Sequence, residues 1–353
     1  MLVGVTGASG FLGGEIVRQL LAHGHRVKGT VRSANASWKM APLMIMQGLW
    51  GRDGALQIVE ADLLDKASLL TAFEGCDAVL HVASPVIFSS PDPEKEILKP
   101  ALEGTLNVLR ACHATPTIQR LVFTSSIAAI IDDSKVKKGY IFTEKDWNES
   151  SSLENHPYRY SKVRAERAVW DFVKQEKPSF CVTAIHPGTV IGPSIASFPS
   201  ADAINLTNRL LLDVLQNTSG YPAGGTTLVH VNDVARAHVL ALEMDRNLID
   251  GKRYVCNDRS VTFADICKVV EEELPHVEAP RHLDPSLPSL RLEVPELSNA
   301  AIRRDFGITF SDWRATVVDT VEWLAEEGFL QHNLSPEGDD DTTGENPSRA
   351  SSD

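Results

Sequence analysis

Short apolar runs alternate along this chain with stretches of helical spacing. Leu2 to Thr6 is an apolar run closed by glycines, and in Phe11 to Leu21 the apolar residues recur three and four apart, which predicts strand, turn, helix. The same unit recurs. The pattern predicts strands over 26–31, 56–60, 78–82 and 120–124, with helices over 66–73 and 93–114. No element is predicted between Val31 and Leu56. A long polar stretch from Asp132 to Pro157 interrupts the alternation before a helix over 158–175 and a strand over 181–186. Strands alternating with helices predict a parallel sheet covered on both faces.

Beyond Pro187 the pattern loosens, with Pro and Gly at 187–188, 192–193 and 221–225 and helical spacing at 231–244, 262–273 and 311–328. The expected fold is therefore α/β, a Rossmann-type doubly wound sheet with a smaller mixed C-terminal substrate lobe. Its expected domains are 1–187 for the dinucleotide, with some later segments returning to it, 188–332 for substrate, and an acidic disordered tail over 333–353. A ligand belongs in the crevice between lobes.

Composition narrows the function. Of 353 residues, 34 are Lys or Arg and 47 Asp or Glu, a net charge of −13 that would repel phosphate backbones, so no nucleic-acid partner is expected. Six acids (Glu337, Asp339, Asp340, Asp341, Glu345, Asp353) against Arg349 alone give the tail its disorder-prone polarity. Five cysteines without C-x-x-C spacing indicate neither a disulfide frame nor a zinc site, and no metal is expected. No apolar run reaches the roughly 18 residues of a membrane helix and no signal peptide precedes the first motif, so a cytoplasmic location without membrane contact is expected.

The chemistry starts at Thr6-Gly7-Ala8-Ser9-Gly10-Phe11-Leu12-Gly13, a G-x-x-G-x-x-G run between strand and helix. Gly7 permits the turn, Gly10 lets the backbone approach a pyrophosphate, and Gly13 lets helix pack on strand, while the helix N-terminus offers N–H groups to the phosphates. An NAD enzyme places a carboxylate at the end of the second strand, yet no Asp or Glu occurs between Glu15 and Asp53. Arg32 stands there instead, followed by Lys39. A guanidinium at that point pairs with a 2′-phosphate, which predicts NADP(H).

Tyr158 and Lys162 lie one turn apart on a predicted helix, a phenol beside an ammonium that would favour its phenolate. Ser125 and Ser126 follow the strand over 120–124, and either could donate to a substrate carbonyl. His81 and His186 at strand ends, and His230 and His238 with the helix that enters the second lobe, are read as packing groups. Trp147, Trp170, Trp313 and Trp323 are read as core or lid.

Together these motifs resemble the extended short-chain dehydrogenases/reductases, in the group of dihydroflavonol 4-reductases, cinnamoyl-CoA reductases and fungal carbonyl (methylglyoxal) reductases. The matching stretches are Val5 to Gly13, Gly29 to Arg32, Ala61 to Leu63, His81 to Pro85, Leu121 to Ser126, Tyr158 to Lys162 and His186 to Pro193. The resemblance implies catalysis by Tyr158 as proton donor, Lys162 on the nicotinamide ribose and lowering the tyrosine pKa, and Ser126 polarising the carbonyl. For the cofactor it implies contacts from Gly7, Ser9, Gly10, Phe11, Leu12, Arg32, Lys39, Asp62, Leu63, Val82, Ala83, Ser84, Thr124, Pro187, Gly188, Thr189 and Val190, besides Tyr158 and Lys162. Substrate contacts are expected from 85–93, 127–133 and 191–221. No plant substrate carries over, because 127–133 lacks the asparagine of dihydroflavonol recognition and 155–158 lacks the Trp-Tyr-Cys of cinnamoyl-CoA reductases. The expectation is an NADPH-dependent reductase of an aldehyde or ketone to an alcohol, with a small-molecule carbonyl compound or secondary-metabolite ketone as substrate, monomeric or homodimeric. The rival reading is an NAD-dependent nucleotide-sugar epimerase or dehydratase, against which stand Arg32 and the sequence Ile127-Ala128-Ala129 where a dehydratase needs an acid pair.

Overall fold

Seven strands hydrogen-bond in parallel in the order β10-β7-β5-β4-β1-β2-β3, in a computed structural model that describes residues 1–35, 37–50, 54–288 and 293–330. In chain order the first half runs β1 (Leu2–Thr6), α1 (Phe11–Ala22), β2 (Arg26–Val31), α2 (Ser37–Trp50), β3 (Leu56–Glu60), α3 (Lys66–Phe73), β4 (Ala78–His81), α4 (Lys99–His113) and β5 (Arg120–Thr124). After a short β6 (Ile141–Phe142) come α5 (Pro157–Glu176), β7 (Cys181–Pro187), β8 (Thr189–Ile191), α6 (Leu206–Leu215), β9 (Gly225–His230), α7 (Val231–Glu243), α8 (Arg246–Ile249) and β10 (Arg253–Cys256). The chain ends its described part with β11 (Arg259–Thr262), α9 (Phe263–Glu273), β12 (Glu296–Leu297), α10 (Ala300–Phe306) and α11 (Trp313–Glu326).

The strand order reverses direction at β1, which has β2 on one side and β4 on the other. In such sheets the crevice outside the carboxyl ends at that reversal is where ligands bind. The pairings Thr6↔His81, Thr6↔Thr30, Val31↔Glu60 and Thr124↔Ile185 set those ends along one edge. One face of the sheet is covered by α1, α2, α7 and α10 through residues such as Ile16, Leu43, Val239 and Phe306. The other is covered by α3, α4 and α5 through Phe73, Leu109 and Val169. A separate apolar cluster joins α6, α9 and α11 to the small sheet β11-β9-β8, in which β8 and β9 are parallel and β9 and β11 antiparallel.

The doubly wound fold and the mixed small sheet match the expectation. Two differences have physical causes. Helix α2 fills the interval left unassigned, although Pro42 lies inside it. Its Met40, Leu43 and Met46 are buried against the sheet, so packing outweighs the cost of a helix-internal proline. Strand β9 occupies a segment for which no strand is expected; Thr227 to His230 are all buried, so the alternation that marks a half-exposed strand is missing. The tail over 333–353 lies outside the described residues. No helix among the described residues is long and apolar enough to cross a membrane.

Candidate active site

The turn after β1 is built around two glycines. Gly7 adopts φ +69°, the left-handed region that favours glycine, and packs against the Ala83 backbone after β4. A Cβ on Gly13 would fall 2.1 Å from the Gly7 carbonyl oxygen, so only glycine lets α1 start this close to the turn. Gly10 is the N-cap of α1 and no side chain caps the helix. Its first N–H groups are therefore left to an external acceptor, and the cradle suits the pyrophosphate of a dinucleotide.

The groups expected around that cofactor fall along the same edge. Arg32 is exposed directly after β2, and Lys39 is exposed in the first turns of α2 with its Nζ 5.0 Å from the Trp38 ring centroid. Asp62 and Leu63 follow β3. The Asp62 carboxylate accepts from Leu64 N at 2.8 Å, and Leu63 packs on Gly104 of α4. After β4, the N–H groups of Val82 and Ala83 both donate to Thr6 Oγ1 at 3.0 Å. The Thr6 hydroxyl proton then goes to His81 Nδ1, 2.9 Å away, and leaves Nε2–H facing Thr105. His81 is buried, which with the nearby Lys162 charge lowers its pKa to about 3. It is a neutral strut that orders the Val82–Ser84 segment. Thr124 is likewise committed: its hydroxyl meets His238 Nε2 at 2.8 Å, while His238 Nδ1 donates to the Val234 carbonyl. His230 is not a helix residue but the N-cap of α7, accepting from Asn232 N.

The two serines after β5 separate cleanly. Ser125 is buried and donates to Glu166 at 2.7 Å. Ser126 accepts from Ala128 N at 3.1 Å and is the hydroxyl that counters the rise of the Tyr158 pKa. Helix α5 starts with Pro157 in its first turn, where a missing N–H costs nothing, and so delivers Tyr158 at its open end. Lys162 is buried one turn on, its Nζ 5.8 Å from the Tyr158 ring centroid. Burial governs how this pair ionises. Burial pushes the phenol up to about 12, with the Ser126 hydrogen bond opposing, and lowers the Lys162 ammonium to about 8 against the pull of Glu166. Desolvation penalises both charged forms, the phenolate and the ammonium alike.

Phe88 packs edge-on against the Tyr158 ring at 5.2 Å between centroids, and Val86, Ile87 and Phe88 expose apolar surface beside it. Of the three segments expected to meet substrate, 127–133 turns mostly inward. Ala128 to Asp132 are buried, Ile130 and Ile131 with Phe142 and Val255, and the Asp132 carboxylate is held by Ser134. The segment after β8 instead reaches back across the crevice. Ile195 Cδ1 would meet a Cβ on Gly14 at 2.7 Å, and Phe198 sits between Trp38 at 5.3 Å and Trp323 at 5.9 Å.

Sequence reasoning missed Glu166 and Arg253. Both are partners in a buried ion pair beneath the serines, joined by His186, which was expected only to pack. The available signals were a carboxylate four residues after Lys162 on the same helical face and a lone arginine opening the apolar run Tyr254-Val255-Cys256.

Residues 3–256 match the NAD dependent epimerase/dehydratase family. The chain belongs to that family. It is thus an extended short-chain dehydrogenase/reductase, and an oxidoreductase by its relatives. Cinnamoyl-CoA reductase CAD2 of Medicago truncatula is 31% identical, the alignment covering 93% of this chain and 97% of that protein. Anthocyanidin reductase of Arabidopsis thaliana is 32% identical over 86% and 90% of the two chains. Among solved structures, yeast methylglyoxal/isovaleraldehyde reductase Gre2 complexed with NADPH superposes with a TM-score of 0.80 at 26% identity, covering 93% of this family member and 100% of that chain. Gre2 of Candida albicans in complex with NADPH gives 0.77 at 31% identity, over 93% and 99%.

Proposed function

We propose that the protein is an NADPH-dependent reductase that converts an aldehyde or ketone to an alcohol. The observation that carries this reading is the convergence of Ser126, Tyr158 and Lys162 beside an uncapped Gly-rich turn at the carboxyl edge of the sheet. NADPH supplies the hydride when bound. Tyr158 holds the proton for the developing alkoxide, and its raised pKa keeps that proton in place at neutral pH. Ser126, already accepting from Ala128 N, directs its own proton at the carbonyl oxygen. Lys162 binds the nicotinamide ribose. Arg32 and Lys39 hold the 2′-phosphate, Asp62 and Leu63 the adenine side, and Val82 to Ser84 with Thr124 and Pro187 to Val190 the middle and nicotinamide end.

The exposed apolar trio Val86, Ile87 and Phe88 beside Tyr158 supports an uncharged carbonyl substrate with an apolar flank. The chain's own charge of −13 supports the same preference over acids. The rival epimerase or dehydratase chemistry finds no acid after Ser126, where Ala128 and Ala129 are buried. Five unpaired, buried cysteines support a reducing, cytoplasmic setting. The boundary near 187 is proposed as the start of a substrate lobe whose later strand β10 returns to the cofactor sheet.

An NADPH-oxidation screen over aliphatic, aromatic and polycyclic aldehydes and ketones tests the reading, with NADH and nucleotide sugars as controls. Turnover of apolar carbonyls with NADPH is expected, and turnover of nucleotide sugars alone would overturn it. The pH dependence has a defined sign. Lys162 has a lowered pKa, so its charge is present below about 8 and lost as pH rises through that value, while Tyr158 stays protonated throughout. Carbonyl reduction measured as kcat/KM should therefore hold a plateau at neutral pH and fall above about 8.

A further inference from the structure

Glu166 is a fully buried carboxylate with both oxygens saturated by side chains from four parts of the chain. Its Oε1 accepts from Arg253 Nε on β10 at 2.6 Å and from Trp170 Nε1 on α5 at 3.1 Å. Its Oε2 pairs with His186 Nε2 on β7 at 2.8 Å, with Ser125 Oγ after β5 at 2.7 Å, and with the second Arg253 nitrogen at 3.3 Å. Arg253 is fixed in turn by the carbonyls of Glu144 and Asp146 and by the Trp147 ring, whose centroid lies 3.9 Å from its guanidinium carbon. Two of these contacts, and Glu166 itself, sit close to site residues in the chain. Ser125 precedes Ser126, His186 precedes Pro187, and Glu166 follows Lys162 by one helical turn.

A buried ion pair gains little stability over apolar packing, because desolvating both charges offsets their attraction. Its position beneath the reacting groups calls for another use. Resting on the reductase reading above, we propose that Glu166 is a positioning residue, clamping the Lys162 turn, the Ser125–Ser126 strand end and the His186–Pro187 strand end to one carboxylate and supplying the counter-charge for the Lys162 ammonium. Around Lys162 the charged and titratable neighbours are Tyr158 and Glu166 on α5 and His81 on β4. Around Glu166 they are His186 and Arg253, both on neighbouring strands. Glu166 is held well below the usual carboxylate range by His186 and Arg253, so it stays ionised across the working pH range. Lys162, next to it on the helix, keeps its proton to about 8 despite burial.

The test titrates the Lys162 ammonium by NMR in the full-length, cofactor-free protein, assigned by its loss in Lys162→Met, alongside the pH profile of kcat/KM. Glu166→Gln keeps the shape and removes the charge. The Lys162 titration and the alkaline limb should both move down by about one pH unit, with carbonyl reduction at pH 8 lowered about fivefold. Glu166→Asp should bring both back to within about 0.3 unit of the parent. Arg253→Gln, which removes a cation from the same carboxylate, should move them the opposite way. A folded Glu166→Gln protein with an unmoved titration overturns the proposal, as does an Asp variant shifted as far as Gln. If Glu166→Gln does not fold, the sign of the Arg253→Gln shift decides, and if neither folds the ion pair is structural and the proposal fails. The NMR titration needs no substrate, so failure of the reductase reading would leave it intact and be recognised separately.

Discussion

Replacing Tyr158 by phenylalanine is expected to lower kcat for carbonyl reduction by about a thousandfold, within the 10²–10⁴ range that a positioned general acid contributes. The loss is a transition-state loss. The ring is held edge-on by Phe88, so the phenylalanine ring can occupy the same place. In the proposed reading most cofactor contacts come from the Gly-rich turn, Arg32 and Lys39, which the substitution does not touch, and Tyr158 adds one contact among many. The NADPH Kd, read by fluorescence quenching, should stay within about twofold of the parent. A Tyr158→Phe protein with undiminished turnover would remove Tyr158 from the chemistry.

Arg32→Glu should raise the NADPH KM by roughly a hundredfold or more and change the NADH KM by less than about threefold. Removing a charge-assisted contact costs about 1.5–3 kcal/mol, and the new carboxylate adds repulsion toward a phosphate. Because Arg32 is exposed at the end of β2 and not part of the core, the fold should tolerate the change. In NADH the same carboxylate finds ribose hydroxyls that it can accept from. Parallel steady-state assays with the two cofactors read the ratio, and an unchanged ratio would make Arg32 a bystander in solvent.

What was legible beforehand follows from locality. The Gly-rich turn, the Tyr158–Lys162 pair and the parallel sheet are each written in contiguous residues, so periodicity and spacing reveal them. Helix α2 was hidden because Pro42 reads as a breaker until its apolar face is seen against the sheet. Adjacent positions alone leave Ser125 and Ser126 open, the family resemblance favours Ser126, and the structure adds that Ser125 is committed to Glu166. The Glu166 ion pair was invisible for a further reason. Its members at 125, 166, 186 and 253 meet only through tertiary structure, and each alone resembles an ordinary surface charge or polar strand end. The effect of burial on Tyr158 and Lys162 also depends on tertiary packing that no spacing rule describes.

Strand β10 has a consequence for how this chain comes off the ribosome. It completes the cofactor sheet beside β7, yet it is synthesised only after the whole of β8, α6, β9 and α7. Until residue 256 has emerged, β7 is a bare edge, and Glu166 lacks the arginine that neutralises it. The nascent cofactor half thus carries both an aggregation-prone edge and a carboxylate short of its arginine, so its final closure waits for a long-range strand insertion rather than for local helix formation. Growth temperature and chaperone supply during expression should therefore matter more to the yield of this protein than the regularity of its first 187 residues suggests.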